Sequence, residues 1–121
     1  MEKSIILTLN YPPSINNYWA FHGHRRYLTK KANDFKSHVS EEVINACIPK
    51  LGKARIELTI TLCPPDKRTR DLDNVLKSLI DAICQAGVFD DDEQIDVLMV
   101  QRGDICKGGK AIIMIETLPP K

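Results

Sequence analysis

The 121-residue chain predicts a single α/β domain, α+β-like in character, with a mixed sheet of about four strands and two main helices in the order β-α-β-α-β-β. Three observations carry this expectation. Ile56, Leu58, Ile60 and Leu62 alternate with Glu57, Thr59 and Thr61, the period of a strand with one buried face. Two segments repeat apolar residues at helical spacing. Two strand-like runs near the end are separated by a glycine turn, so the sheet cannot be wholly parallel.

The elements follow in order. Residues 4–9 read as a first strand, stopped by Tyr11-Pro12-Pro13 because proline has no ladder donor. A polar loop with Asn16, Tyr18, Trp19, His22 and His24 is expected to about Tyr27. Thr29 caps a helix over 30–48, where Ala32, Phe35, Val39, Val43 and Cys47 share a face. A strand over 55–63 ends at Pro64-Pro65, and the basic run to Arg70 follows. A second helix is expected over 73–86, with Asp73 as cap, Leu76, Leu79 and Ile83 inward and Gly87 as terminator. Strands over 95–101 and 110–117 are expected to pair through a hairpin at Lys107-Gly108-Gly109-Lys110.

With 43% apolar and 27% charged residues, the composition is that of a folded chain. No apolar stretch approaches the roughly 20 residues of a membrane span, and no signal-peptide core is visible. Cys47, Cys63, Cys84 and Cys106 lie too far apart for a C-x-x-C pair. A soluble, reduced, cytoplasmic protein is expected, without membrane association. No phosphate-binding glycine loop is present, so no nucleotide cofactor is expected.

The net charge of +1 hides a division along the chain. Residues 71–96 carry eight acids and one base, Lys77, while the remainder carries sixteen bases and eight acids. An acidic centre with basic clusters around it suits an enzyme that grips a polyanion with its rim and a cation with its middle. Asp71 and Asp73 stand at a helix mouth, where the helix dipole and capping explain one acid well. They do not explain Asp90, Asp91 and Asp92 beyond the helix exit. Two carboxylates about 5 Å apart repel by roughly 3 kcal/mol at an effective dielectric near 20. Convergent acids therefore call for a cation, and Mg²⁺ is the hard, oxygen-seeking candidate that leaves waters for a phosphate to displace. Lys77, four residues after Asp73, is expected on the same helix face, able to pair with these acids and to stabilise charge on a phosphate under attack. Tyr18 and Trp19 either stack on an exposed base or pack the loop onto the sheet; His22-x-His24 lacks a third metal ligand, and His38 reads as structural.

Arg70-Asp71-Leu72-Asp73-Asn74, Lys77, Asp81-Ala82, Ala86-Gly87 and Asp91-Asp92-x-Gln94 resemble the signature of the RusA-type Holliday junction resolvases. The resemblance extends to Pro12-Pro13-Ser14-x-Asn16, the basic run after Pro65 and the Lys107-Gly108-Gly109 turn. It implies a small homodimeric endonuclease, of bacterial or phage (prophage) origin and nucleoid-associated. Such an enzyme cuts four-way DNA junctions by paired symmetric nicks with Mg²⁺, in recombination and repair. By motif, the catalytic acids fall on Asp71, Asp73 and Asp92 and the essential lysine on Lys77; register against Gln94 chooses Asp92, with Asp91 the alternative third metal ligand. Lys67, Arg68, Arg70, Arg25 and Arg26, backed by Lys107 and Lys110 and joined by Asn16 and Asn74, are the expected DNA contacts. A non-catalytic module for structured nucleic acid, and a metal-dependent nuclease for flaps or structured RNA, are the competing expectations.

Overall fold

The computed structural model describes residues 4–120. A four-stranded sheet is built from β1 (Ser4–Leu9), β4 (Ile56–Cys63), β5 (Ile95–Arg102) and β6 (Lys110–Thr117), in the order β1-β6-β4-β5. Helices α1 (Lys30–Asn45) and α2 (Leu76–Gln85) cover one face. A separate two-stranded ribbon, β2 (Trp19–His22) with β3 (Arg25–Leu28), lies where a loop was expected. The single mixed-sheet α+β domain follows the sequence expectation.

The strand alternation sets the core. Ile56, Leu58, Ile60 and Leu62 of β4, Ala111, Ile113 and Ile115 of β6, and Ile5, Leu7 and Leu9 of β1 all point beneath the helices. Phe35, Val39 and Val43 from α1 and Leu79 and Ile83 from α2 meet them, with Val88 and Phe89 closing the far end. Hydrophobic burial on this face is the main stabilising term. Among the described residues no helix is long and apolar enough to cross a membrane.

Four local expectations change. The β5–β6 hairpin does not form: β5 pairs parallel with β4, and β6 pairs antiparallel with both β4 and β1. The buried alternation of β4 makes it a central strand that needs neighbours on both sides. The 103–109 segment therefore crosses its end, with Gly103 N donating to Leu62 O at 2.8 Å and Cys106 N to Pro64 O at 2.9 Å. Gly109 still makes the turn there. Its φ is +71°, and a Cβ would lie 2.9 Å from Tyr11 Cβ.

Helix α1 starts at its cap as expected, Thr29 accepting from Ala32 N at 3.2 Å. It stops at Asn45 rather than 48, because Cys47 turns left-handed (φ 53°) ahead of Pro49. The second helix opens with a tight 3-10 turn, Leu72–Val75, so Asp71 rather than Asp73 precedes the first turn and neither side chain caps α2. Gly87, at φ +85°, ends α2 as expected. Finally, the 15–28 segment is not an open loop. Gly23, at φ +63°, supplies the turn that pairs β2 with β3.

Candidate active site

Beyond Pro64-Pro65 the chain leaves β4 and folds onto itself around Asp66. The Asp66 carboxylate accepts from Arg70 Nη1 at 2.7 Å and from Arg68 N at 2.9 Å. These partners, Arg70 first, hold it well below the usual carboxylate range. Arg70 Nη1 also reaches Arg68 O at 3.2 Å, and Arg102 at the end of β5 donates to Arg70 O at 2.6 Å. Arg70, expected as a phosphate contact, therefore braces this loop, while Arg68 and Lys67 are exposed on it. The brace presents Asp71 in extended backbone, exposed, just before the 3-10 turn that carries Asp73.

Two clefts share the Arg68–Asp71 segment as a wall. One, of about 360 Å³, is lined by Tyr11, Pro13, Lys31 and Asn74 as well. The other, of about 430 Å³, adds Lys67 and Arg102. Because β4 and β5 end beside the start of β6, exposed Lys107 and half-buried Lys110 belong to the same end of the sheet. Asn16 lies exposed in the short Ile15–Asn17 turn, and Arg25 and Arg26 are exposed on β3.

Lys77 is placed differently from expectation. Its ammonium pairs with Asp81 at 3.2 Å, one turn on, rather than with Asp73. The Tyr18 hydroxyl donates to the same Asp81 carboxylate at 2.6 Å, and the Tyr18 ring lies 5.9 Å from Lys77 Nζ. Tyr18 is buried, and burial together with Asp81 raises its hydroxyl far above the usual phenol range. Trp19 packs edge-on against Tyr18 and is covered by the Arg26 guanidinium 4.0 Å from its ring centre. Neither aromatic ring is thus presented for base stacking. His38 accepts from Asn10 N at 2.9 Å, a structural role, while His22 and His24 are exposed.

The second acidic group is stapled at the opposite end of the sheet, where β4 and β5 begin. Gln94 is only 4% exposed. Its amide donates to Gly52 O at 2.8 Å and Ala54 O at 2.7 Å, and its oxygen accepts from Asp91 N at 2.8 Å. Arg55 adds a clamp, donating to Asp96 at 3.0 Å and to Glu93 at 3.0 Å. The motif showed Gln94 without its task, since only the fold brings residues 52–54 beside it. Replacing Gln94 with Ala leaves two carbonyls and an amide without their partner, at about 2–4 kcal/mol. The expected result is a melting temperature roughly 10 °C lower by thermal denaturation.

Asp91 first, then burial and the charge of Asp81, raise the Asp92 carboxyl, with Lys77 opposing. Cys84, beneath them on α2, is pushed up to about 11 by burial and by Asp92, Asp81 and Asp91. The fold thus gathers Asp81, Asp91, Asp92 and Lys77 along α2. The Asp71 segment is tied to the end of β5 through Arg70 and Arg102, and the Asp92 turn to the approach to β4 through Gln94. Among the described residues no three His, Cys, Asp or Glu side chains converge closely enough to hold a metal ion. Asp71, Asp73 and Asp92 form no such group among the described residues.

The family model for Endodeoxyribonuclease RusA matches residues 10–116. The chain is 37% identical over 110 residues to the crossover junction endodeoxyribonuclease rusA of Enterobacteria phage HK97, spanning 91% of this chain and 92% of that protein. It is 32% identical over 110 residues to the crossover junction endodeoxyribonuclease RusA of Escherichia coli K12, spanning 90% and 91%. The same figures describe the likeness to the protein of that name from Shigella sonnei Ss046.

Proposed function

The chain belongs to the RusA family of endodeoxyribonucleases, and from that premise we propose that it resolves four-way DNA junctions as a homodimer, using Mg²⁺ and paired symmetric phosphodiester hydrolysis. The observation that carries this reading is Asp71, presented on the common wall of two clefts edged by Lys31, Lys67, Arg68 and Arg102. A backbone phosphate steered by that charge arrives beside a carboxylate, an arrangement a mere binding surface would avoid.

The donor set fits a hard divalent cation. Asp71 and Asp73 are exposed oxygen ligands, and Asp91 and Asp92 are adjacent carboxylates whose mutual repulsion a divalent ion would relieve. When bound, such an ion supplies water activation and charge stabilisation at the leaving oxygen. Lys77 stabilises the charge that builds on the attacked phosphate, with Asp81 and Tyr18 holding its ammonium in place. Lys67, Arg68, Arg25, Arg26, Lys107 and Lys110 hold the arms, and Asn16 and Asn74 contribute polar contacts. Lys77→Ala is expected to cut turnover about a hundredfold while changing junction affinity less than about threefold, read by single-turnover kinetics and gel shift.

A homodimer would complete the acid set that one chain leaves open among its described residues. β5 is the outer strand of the sheet among the described residues, and its Val97, Leu98 and Met99 are 42%, 45% and 56% exposed. Half-buried Leu72, in the turn before α2, and Leu76, Ile80 and Cys84 on α2 follow one another at four-residue spacing. A two-fold antiparallel pairing of β5 edges would satisfy that edge and cover Leu98. It would also carry the Asp91–Asp92 end of one protomer towards the Asp71–Asp73 end of its partner.

The direct test compares junction, flap and linear duplex with and without Mg²⁺. Paired nicks in the junction alone, only with the ion, are expected. Gel shifts without nicks, or equal cutting of flaps, would overturn the reading.

A further inference from the structure

We propose that the β2–β3 ribbon is a wedge for the branch point of the DNA, with Phe21 stacking on a base exposed there. This inference rests on the junction reading above.

Directly paired ribbon residues share a face, so Trp19 and Leu28 lie beside Phe21 and Arg26, and Ala20 and Tyr27 lie on the other side. Arg26 covers Trp19. The next ring outward, Phe21, is 70% exposed, and Tyr27 on the opposite face is 50% exposed. An isolated two-stranded ribbon is marginal in water, so two bare aromatic rings near its tip need a reason.

The charge around them selects the occupant. The ribbon, residues 19–28, contains Arg25 and Arg26 with His22 and His24 and not one Asp or Glu; beyond it Lys31 follows Lys30, which is paired with Asp34 at 2.7 Å. A protein surface would normally be met with charges of both signs, whereas an aromatic ring on an entirely cationic support suits bases between phosphates. The tip is narrow, turning at Gly23 with nothing within 4 Å of its would-be Cβ.

The root is firm. Tyr18, at the base of β2, is buried and bonded to Asp81, and Thr29 N donates to Tyr18 O at 3.1 Å. Asp81 is also the partner of Lys77. A base engaged by Phe21 is thereby mechanically tied to the lysine at the scissile phosphate. Selectivity for branched DNA follows: only at a branch does a base face open without unstacking a continuous duplex.

The experiment places 2-aminopurine at the branch point of a four-way junction and, separately, inside a linear duplex, with EDTA present so that no cleavage contributes. Wild type is expected to change the branch-point fluorescence severalfold and to leave the duplex signal unaltered. Phe21→Ala is expected to lose that change and to weaken junction binding about tenfold, with duplex binding unchanged. Phe21→Trp should retain both. Phe21 is too exposed for its loss to unfold the chain, and an unchanged melting temperature confirms it. Wild-type fluorescence and affinity in Phe21→Ala, or an equal loss on junction and duplex, would overturn the wedge while leaving the resolvase reading intact. Failure of wild type to bind the junction would overturn both.

Discussion

Asp73→Asn is expected to bind four-way junction DNA with wild-type affinity and to cut it at least about a thousandfold more slowly. The substitution keeps the side chain's size and its place in the exposed Leu72–Val75 turn, where Asp73 caps no helix. In the proposed function, binding rests on the basic residues around the clefts, which the substitution leaves alone. What it removes is one negative oxygen from the ligand set. Losing several kcal/mol of charge stabilisation at the reacting phosphate translates into a factor of that size. A wild-type cleavage rate in the purified variant would end the metal-nuclease assignment. A second readout does not depend on activity: Mg²⁺ should raise the melting temperature of wild type more than that of Asp71→Asn/Asp73→Asn.

Mixing two inactive variants should restore nicking. If each site takes Asp73 from one protomer and Asp92 from its partner, an Asp73→Asn/Asp92→Asn heterodimer holds one site with both substitutions and one site with neither. Random exchange makes roughly half of the dimers of this kind. Each can nick one strand and cannot make the paired cut, so nicked junctions should accumulate without resolved duplexes. If every chain carries its own complete site, both sites of the heterodimer lack an acid and the mixture stays inert. The contrast is nearly all-or-none. It also reports on β5, because the composite site needs the two β5 starts and ends to run antiparallel.

Much of this protein was legible in its order of residues. The alternation of 56–62, the apolar stripe of 30–45 and the Thr29 cap are local properties, and local propensity and burial agreed on them. The acidic and basic clusters and the R-D-L-D-N, Lys77 and D-D-x-Q pattern were equally plain. The pairing of strands was not. A Gly-Gly turn between two apolar runs reads as a hairpin, yet β5 and β6 stand on opposite sides of β4 because that strand is buried and needs two partners. The ribbon was hidden because four-residue strands mixing Phe21, Tyr27 and arginines carry no clean alternation.

The chemistry divides in the same way. Residue types and spacing showed by themselves that this molecule carries clustered carboxylates, a lysine four residues after Asp73 and two basic clusters. Only the tertiary structure decided their neighbours: Lys77 beside Asp81, Arg70 turned inward on Asp66, and Gln94 holding the acidic turn. The reason is physical. Composition and period follow from short-range forces along the chain, whereas which charge meets which depends on strand order, and strand order is settled by long-range burial.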